Sequence, residues 1–259
     1  MLSSESYFYY LNSILLPKNA TSISDPQQVM HIKEVLKSQV GDRLTIGEIG
    51  GYIGKATITS INDNEVLLRD VILDKKPPAK LNLTVVLALP RPKVLRRLIM
   101  DMTSLGVNKL IIVNSYRTQK SYWQSPLLER IDEFVFEGLQ QAIDTVPLEV
   151  ELKKRFKPFV EDEFPALLED DNLDGQRKHA VIAHPYARQS WKTYLDEARC
   201  KRNPKETMPK VLCIGAEGGW IDYEVDLLCQ HGCTAVSLGE RILRTETVVS
   251  VLVGHWLEG

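Results

Sequence analysis

Two rhythms of hydrophobic and polar positions divide the chain. Up to about residue 75 the apolar positions come in short alternating runs. Tyr7 to Leu16 alternates imperfectly and stops at Pro17, and Arg43–Ile46, Tyr52–Ile61 and Glu65–Leu73 read as strands. Turn signals separate them: Gly41-Asp42, Gly50-Gly51 and Asn62-Asp63-Asn64. Between the first two runs, His31 to Lys37 predicts a short helix with Ile32, Val35 and Leu36 on one face. Strand following strand at this spacing predicts a small barrel over residues 1–74. The run D-K-K-P-P-A-K from Asp74 then reads as a stiff, charged linker.

From Leu81 the rhythm changes to strands alternating with helices, giving a second domain over 81–259. Leu83–Leu89 is nearly all apolar, as a parallel strand covered on both faces must be. Pro92 suits a helix first turn, and Val94, Leu95, Leu98, Ile99, Met102 and Leu105 then form one face before Gly106. Lys109–Val113 is a strand, Ser125-Pro126 starts a helix through Gln141, and Val146–Leu152 is a strand. A helix around Glu161–Leu168, an exposed loop over Asp170–Lys178 and a strand over His179–Ala183 follow. The class is α/β: a parallel sheet with flanking helices.

Two strand–glycine-loop–helix units close the chain. Val211–Ile214 breaks into Gly215-Ala216-Glu217-Gly218-Gly219, with Asp222 expected to cap the next helix and Gly232 to follow its end. Val236–Leu238 breaks at Gly239, with Thr245 or Thr247 expected to cap the last helix. Ligands of open α/β sheets bind beyond the carboxyl ends of strands, so both loops are expected to line one site. Neither loop has the G-x-x-x-x-G-K-[ST] or G-x-G-x-x-G spacing of nucleotide motifs. The last helix, with Val248, Val249, Val251, Leu252, Val253 and Trp256, is apolar nearly all round, which predicts burial in a homodimer interface.

Composition narrows the class without naming a partner. The chain has 259 residues, of which 44% are hydrophobic and 25% charged, as in ordinary globular proteins. No apolar run reaches the roughly 18 residues of a membrane span. No basic segment precedes an apolar core at the start, so a cytoplasmic location is expected. Cys200, Cys213, Cys229 and Cys233 read as reduced thiols; C-Q-H-G-C at 229–233 lacks the second cluster that zinc sites pair with, so no metal is expected. The net charge of −2 gives RNA binding no support. Local patches do: Arg91, Lys93, Arg96 and Arg97 cluster at the helix after Pro92, with no carboxylate before Asp101. Arg117 and Lys120 lie just ahead of Tyr122 and Trp123 in a polar loop suited to an unstacked base, although the aromatics alternatively plug the domain edge.

I-G-x-E-G-G at 214–219 followed by S-L-G-x-R-I-L-R-T-E-T at 237–247 resembles the SPOUT (trefoil-knot) superfamily of S-adenosylmethionine-dependent RNA methyltransferases. Within it the match is to the RsmE-like family of 16S ribosomal RNA (uracil-N3)-methyltransferases. H-I-K-E-V-L-K…V-G-D at 31–42 resembles that family's PUA-like RNA-binding barrel. The resemblance implies a knotted C-terminus, a homodimer paired through the last helix, small-subunit ribosomal RNA as partner and S-adenosylmethionine as cofactor. It implies three cofactor loops: Ile182, Ala183 and His184; Ile214, Gly215, Glu217, Gly218 and Gly219; and Leu238, Gly239, Ile242, Leu243, Arg244 and Thr247.

The chemistry asks for particular groups. The N3 proton of uracil is weakly acidic, so a base must remove it and a fixed cation must stabilise the anion. Arg244 is the candidate cation and Glu217 the candidate base, with Glu246 second. Alternatively Glu217 holds its loop by accepting backbone N–H groups, and Glu246 favours a helix N-terminus. The sequence departs from the family pattern at Ala216, usually proline, at Asp144, where an arginine is usual, and at a start without basic residues before Lys18. Methylation of another RNA or base, and a non-catalytic RNA-binding or assembly role, stay open at this point.

Overall fold

The protein is described by a computed structural model covering residues 12–169, 179–201 and 208–257. It divides into two compact units, Met1–Ala79 with Glu133–Pro147, and Lys80–Asp132 with Leu148–Gly259.

The first unit contains β1 (Ile14–Leu16), β2 (Ser22–Ile23), α1 (Pro26–Met30), β3 (Arg43–Glu48), β4 (Ile53–Ile61) and β5 (Val66–Lys75). Asp25 caps α1 by accepting the Gln28 N–H at 2.9 Å, and a π-helical turn over His31–Val35 continues the helix. The sheet order is β1-β3-β4-β5-β2, with only β1 and β3 parallel. Its two edge strands nevertheless share one core, where Ile14 and Leu16 meet Ile23, Ile46, Ile58 and Val66. The sheet therefore curls around that core, as a small barrel does. A bulge between β4 and β5 helps it bend: a Cβ on Gly54 would lie 1.8 Å from the Ile72 carbonyl oxygen. Asp74 and Lys75, expected in a linker, belong to β5, where Lys75 pairs with Ile53. Tyr7 to Leu11, the first part of the expected opening strand, lies outside the described residues.

A stretch distant in sequence joins this unit. The Gln140 carbonyl accepts the N–H groups of Asn12 and Ser13 at 3.1 and 3.2 Å, and Thr145 Oγ1 donates to the Gly51 carbonyl at 2.6 Å. Asp144 is buried and closes a turn, accepting the N–H groups of Thr145 (2.7 Å) and Val146 (3.0 Å). An acid at this position thus has a structural use inside the first unit.

The second unit runs β6 (Leu81–Ala88), α2 (Pro92–Ser104), β7 (Val107–Val113), the start of α3 (Ile131–Ala142), β8 (Glu149–Lys153) and α4 (Phe156–Pro158). It continues with α5 (Phe164–Leu167), β9 (Ala180–Ala183), β10 (Gln189–Ser190), α6 (Trp191–Lys201) and β11 (Val211–Ile214). It ends with α7 (Asp222–Gln230), β12 (Cys233–Ser237) and α8 (Thr245–Gly254). The seven strands order as β10-β12-β9-β11-β6-β7-β8, every pair parallel. Leu212 of β11 sits between Val85 of β6 and Val181 of β9, and all three are fully buried. Because β12, β9 and β11 are neighbours in register, the loops leaving Ser237, Ala183 and Ile214 emerge together.

Two expected helix caps need correction, and one strand and one helix were not foreseen. β10 and α6 lie where no element was predicted; Trp191, Tyr194, Leu195 and Ala198 are buried at helical spacing. Ile221, not Asp222, stands at the N-cap of α7, and Glu224 supplies the missing acceptor by bonding the Ile221 N–H at 3.0 Å. Arg244 holds the N-cap position of α8, ahead of Thr245 and Thr247. Much of α8 is covered within its own chain, where Val249, Leu252, Val253 and Trp256 are buried while Val251 and Leu257 stay exposed. The expected loop at Asp170–Lys178 lies outside the described residues. Among the described residues no helix is long and apolar enough to cross a membrane.

Candidate functional site

The three adjacent loops enclose a cavity of about 310 Å³ in the second unit. Its shape comes from the glycine loop after β11. A Cβ on Gly215 would lie 2.9 Å from the Gly219 Cα and 3.1 Å from the Trp220 nitrogen, so the loop folds back on its own backbone. Gly219 completes the turn at φ +68°. The Thr245 hydroxyl donates to the Gly215 carbonyl at 3.4 Å, tying the head of α8 to the loop.

Most expected cofactor residues line this cavity. Ala183 and His184 come from the loop after β9, Ile214, Gly215, Glu217, Gly218 and Gly219 from the glycine loop, and Leu238, Ile242 and Leu243 from the loop after β12. Ile182 is fully buried within β9, and Gly239, Arg244 and Thr247 are not part of the lining. Arg117, expected to contact RNA, also lines the cavity, and its Nη1 donates to the Gly218 carbonyl. Burial pushes the His184 imidazole below its ordinary value; Asp222 opposes this and Arg117 adds to it.

The two candidate bases differ in surroundings. Glu217 is exposed at the cavity edge, where its carboxylate accepts the Arg91 N–H at 3.1 and 3.4 Å. It thereby joins the glycine loop to the start of α2. Glu246 lies outside the lining and pairs with Arg97 at 2.8 Å, so one cation of the expected patch has a carboxylate partner far away in sequence. Arg91, Lys93 and Lys120 are exposed, and Arg96 is half-buried. The lining residues outside the expected cofactor and RNA sets are Pro185, Tyr186, Ala216, Trp220, Val236, Arg241, Thr245 and Val248. Trp220 carried a signal, since it directly follows the glycine loop.

The residues fit a nucleoside-type cofactor. The volume is at the low end of the range for ligand pockets, roughly 300 to 1,000 Å³. The lining combines apolar side chains such as Ile214, Val236 and Leu243 with the backbone of a glycine loop. Among the described residues no three His, Cys, Asp or Glu side chains group to hold a metal.

The family model for an RNA methyltransferase domain matches residues 77–256, and a model for an RNA methyltransferase PUA domain matches residues 23–71. The chain belongs to the RNA methyltransferase family. A ribosomal RNA small subunit methyltransferase E from Treponema pallidum is 29% identical over 220 residues, covering 84% of this chain and 77% of the relative. One of the same name from Rickettsia conorii is 27% identical over 249 residues, covering 95% and 93%. Among solved structures, a methyltransferase from Legionella pneumophila in complex with bound SAM superposes with a TM-score of 0.71 at 19% identity, over 96% of this chain and 97% of that one. A ribosomal RNA small subunit methyltransferase E from Neisseria gonorrhoeae bound to S-adenosyl methionine gives 0.66 at 18% identity, over the same shares. The chain thus shares the α/β fold of these methyltransferases and carries a PUA domain in its N-terminal part.

Proposed function

We propose that this family member is an S-adenosylmethionine-dependent methyltransferase acting on N3 of a uridine in 16S ribosomal RNA of the small ribosomal subunit. The observation that carries the reading is the cavity bounded by three strand-end loops of a chain matched by an RNA methyltransferase model. The names and bound cofactors of its relatives support the choice of substrate and cofactor.

In this reading the loops at Ala183–His184, Gly215–Gly219 and Leu238–Leu243 hold S-adenosylmethionine, which supplies a sulfonium-activated methyl group. The chain's own residues prepare the acceptor. Glu217, at the cavity edge, takes the N3 proton, and Arg244, next to cavity-lining Leu243 and Thr245, stabilises negative charge on the uracil oxygens. Residues 1–74 act as the RNA-binding module and 81–259 as the methyltransferase domain. Arg91, Lys93, Arg96 and Lys120 contribute further phosphate contacts. Two copies pair through α8, where Val251 and Leu257 are exposed, and the protein works in the cytoplasm.

The test is methyl transfer from labelled S-adenosylmethionine to small ribosomal subunits, naked 16S RNA and bulk tRNA, with subunits from cells lacking the protein. Labelled 3-methyluridine in the small-subunit samples is the expected product. Label confined to tRNA would move the substrate, and cofactor binding with no transfer would remove the enzyme reading.

A further inference from the structure

One fully enclosed carboxylate beside the cavity has no part in the reaction described above. Glu224 is 2% exposed, yet both of its oxygens are engaged by backbone donors. Oε2 accepts the Ile221 N–H at 3.0 Å, at the exit of the glycine loop, and Oε1 accepts the Tyr116 N–H at 2.8 Å, in the loop after β7. These contacts join segments 108 residues apart in sequence. Charge-assisted bonds from a buried carboxylate are strong and directional, and the position in the first turn of α7 suits a negative charge.

Arg117 follows Tyr116 directly. Its side chain lies along the glycine loop: a Cβ on Gly218 would meet the Arg117 Cβ at 3.0 Å and Cδ at 3.1 Å. Thr118 holds the next part of the loop after β7, its N–H donating to the Ser115 carbonyl at 3.1 Å and its Oγ1 to the Leu89 carbonyl after β6 at 3.1 Å. A guanidinium carries five N–H donors, and the bond to the Gly218 carbonyl uses one.

We propose that Glu224 is a positioning residue for methyl transfer: by gripping the Tyr116 and Ile221 N–H groups it sets Arg117 across the glycine loop, where the guanidinium faces the anionic RNA substrate at the cavity. The role in methyl transfer rests on the reading above, whereas the placement of Arg117 by Glu224 does not. Glutamine at 224 keeps the shape but turns an NH2 group toward one of the two N–H donors, which loosens one end of the grip.

Two measurements on the full chain test this. The first is an NMR pH titration of His184 in the cofactor-free protein. Arg117→Ala is expected to raise the His184 pKa, and Glu224→Gln to move it in the same direction. A shift in Arg117→Ala that Glu224→Gln does not share, or no shift in either, overturns the placement. The second is a double-mutant cycle on kcat with saturating cofactor. Arg117→Ala and Glu224→Gln are each expected to lower kcat about tenfold, with the double variant no worse than Arg117→Ala within about twofold. Multiplying losses would mean that Glu224 does not act through Arg117. Gly218→Ala displaces Arg117 from its other side without touching Glu224, and it is expected to raise the His184 pKa as Arg117→Ala does, even if Glu224→Gln fails to fold. Absence of methyl transfer by the wild type would end the proposed function and leave the titration to decide the placement.

Discussion

Arg97 Nη2 donates to Glu246 Oε1 at 2.8 Å, so the fourth cation of the α2 cluster is paired with the first acid of α8 across 149 residues of sequence. The Arg97 side chain is 59% exposed and that of Glu246 27%, so solvent screens the pair and it contributes at most about 1 kcal/mol. Glu246→Gln should therefore lower stability by less than about 1 kcal/mol in urea unfolding. Its effect on kcat should stay within about tenfold, against a loss of about 100-fold or more for Glu217→Gln, because only Glu217 borders the cavity. The reverse ranking would make Glu246 the base.

Asp101 is near the same pair, and its pKa is raised above the ordinary 3.8, by desolvation first, with Arg97 lowering it and Glu246 raising it. A carboxyl whose folded pKa exceeds its unfolded value binds its proton more tightly when folded. The stability this contributes is complete below about pH 3.8 and is lost as pH rises through the folded value. Asp101→Asn should then be more stable than wild type at pH 7, with the difference shrinking toward pH 3 in urea unfolding curves. A difference independent of pH would remove the assignment to this group.

How much of this was legible in the sequence depended on the range of the interactions. Leu83–Leu89 and Val211–Ile214 announced buried parallel strands because both of their faces are covered, and the glycines announced the loop. Pairings between distant segments left no local trace. Nothing in the stretch from Ser115 to Arg117 says that Tyr116 will bond Glu224, or that Arg117 will lie on Gly218. The caps of α7 and α8 were misplaced because Asp222 and Thr245 have the right chemistry one residue too late; Glu224 and the Thr245 bond to Gly215 serve the backbone instead. Helix α6 was missed although Trp191, Tyr194, Leu195 and Ala198 have helical spacing. No glycine or proline marks its start, and Ser190, whose Oγ accepts the Thr193 N–H at 3.1 Å, was an overlooked capping signal.

The thiols should fall into two reactivity groups. Cys213 and Cys233 are buried with sulfurs 3.9 Å apart, but they lie on β11 and β12, with β9 between them. Two inter-strand steps of nearly 5 Å exceed the Cα separation a disulfide spans, so oxidation should not link them. Burial pushes the Cys233 thiol well above its ordinary value and raises Cys229 as well. An aromatic disulfide reagent at pH 8 should therefore modify exposed Cys200 first, with Cys213 and Cys233 reacting only on unfolding. Rapid labelling of Cys233 in the native protein would contradict the closed core beneath the glycine loop.

Gly215 offers the sharpest separation of binding from stability. In Gly215→Ala the new methyl meets only backbone: the Gly219 Cα at 2.9 Å, its carbonyl carbon at 3.1 Å and the Trp220 nitrogen at 3.1 Å. No rotamer can relieve such contacts, so the loop must open. The strain falls where the cofactor backbone contacts are proposed, while the β11 ladder ends one residue earlier at Ile214. S-adenosylmethionine affinity should fall at least tenfold by calorimetry, which corresponds to about 1.4 kcal/mol. In Gly54→Ala the corresponding contact, 1.8 Å from the Ile72 carbonyl, is far from that cavity in sequence and belongs to the other unit. That substitution should destabilise the N-terminal sheet by about 2 kcal/mol or more in urea unfolding, while cofactor affinity stays within about twofold. Equal loss of affinity in both variants would show that the cavity does not take its shape from the glycine loop.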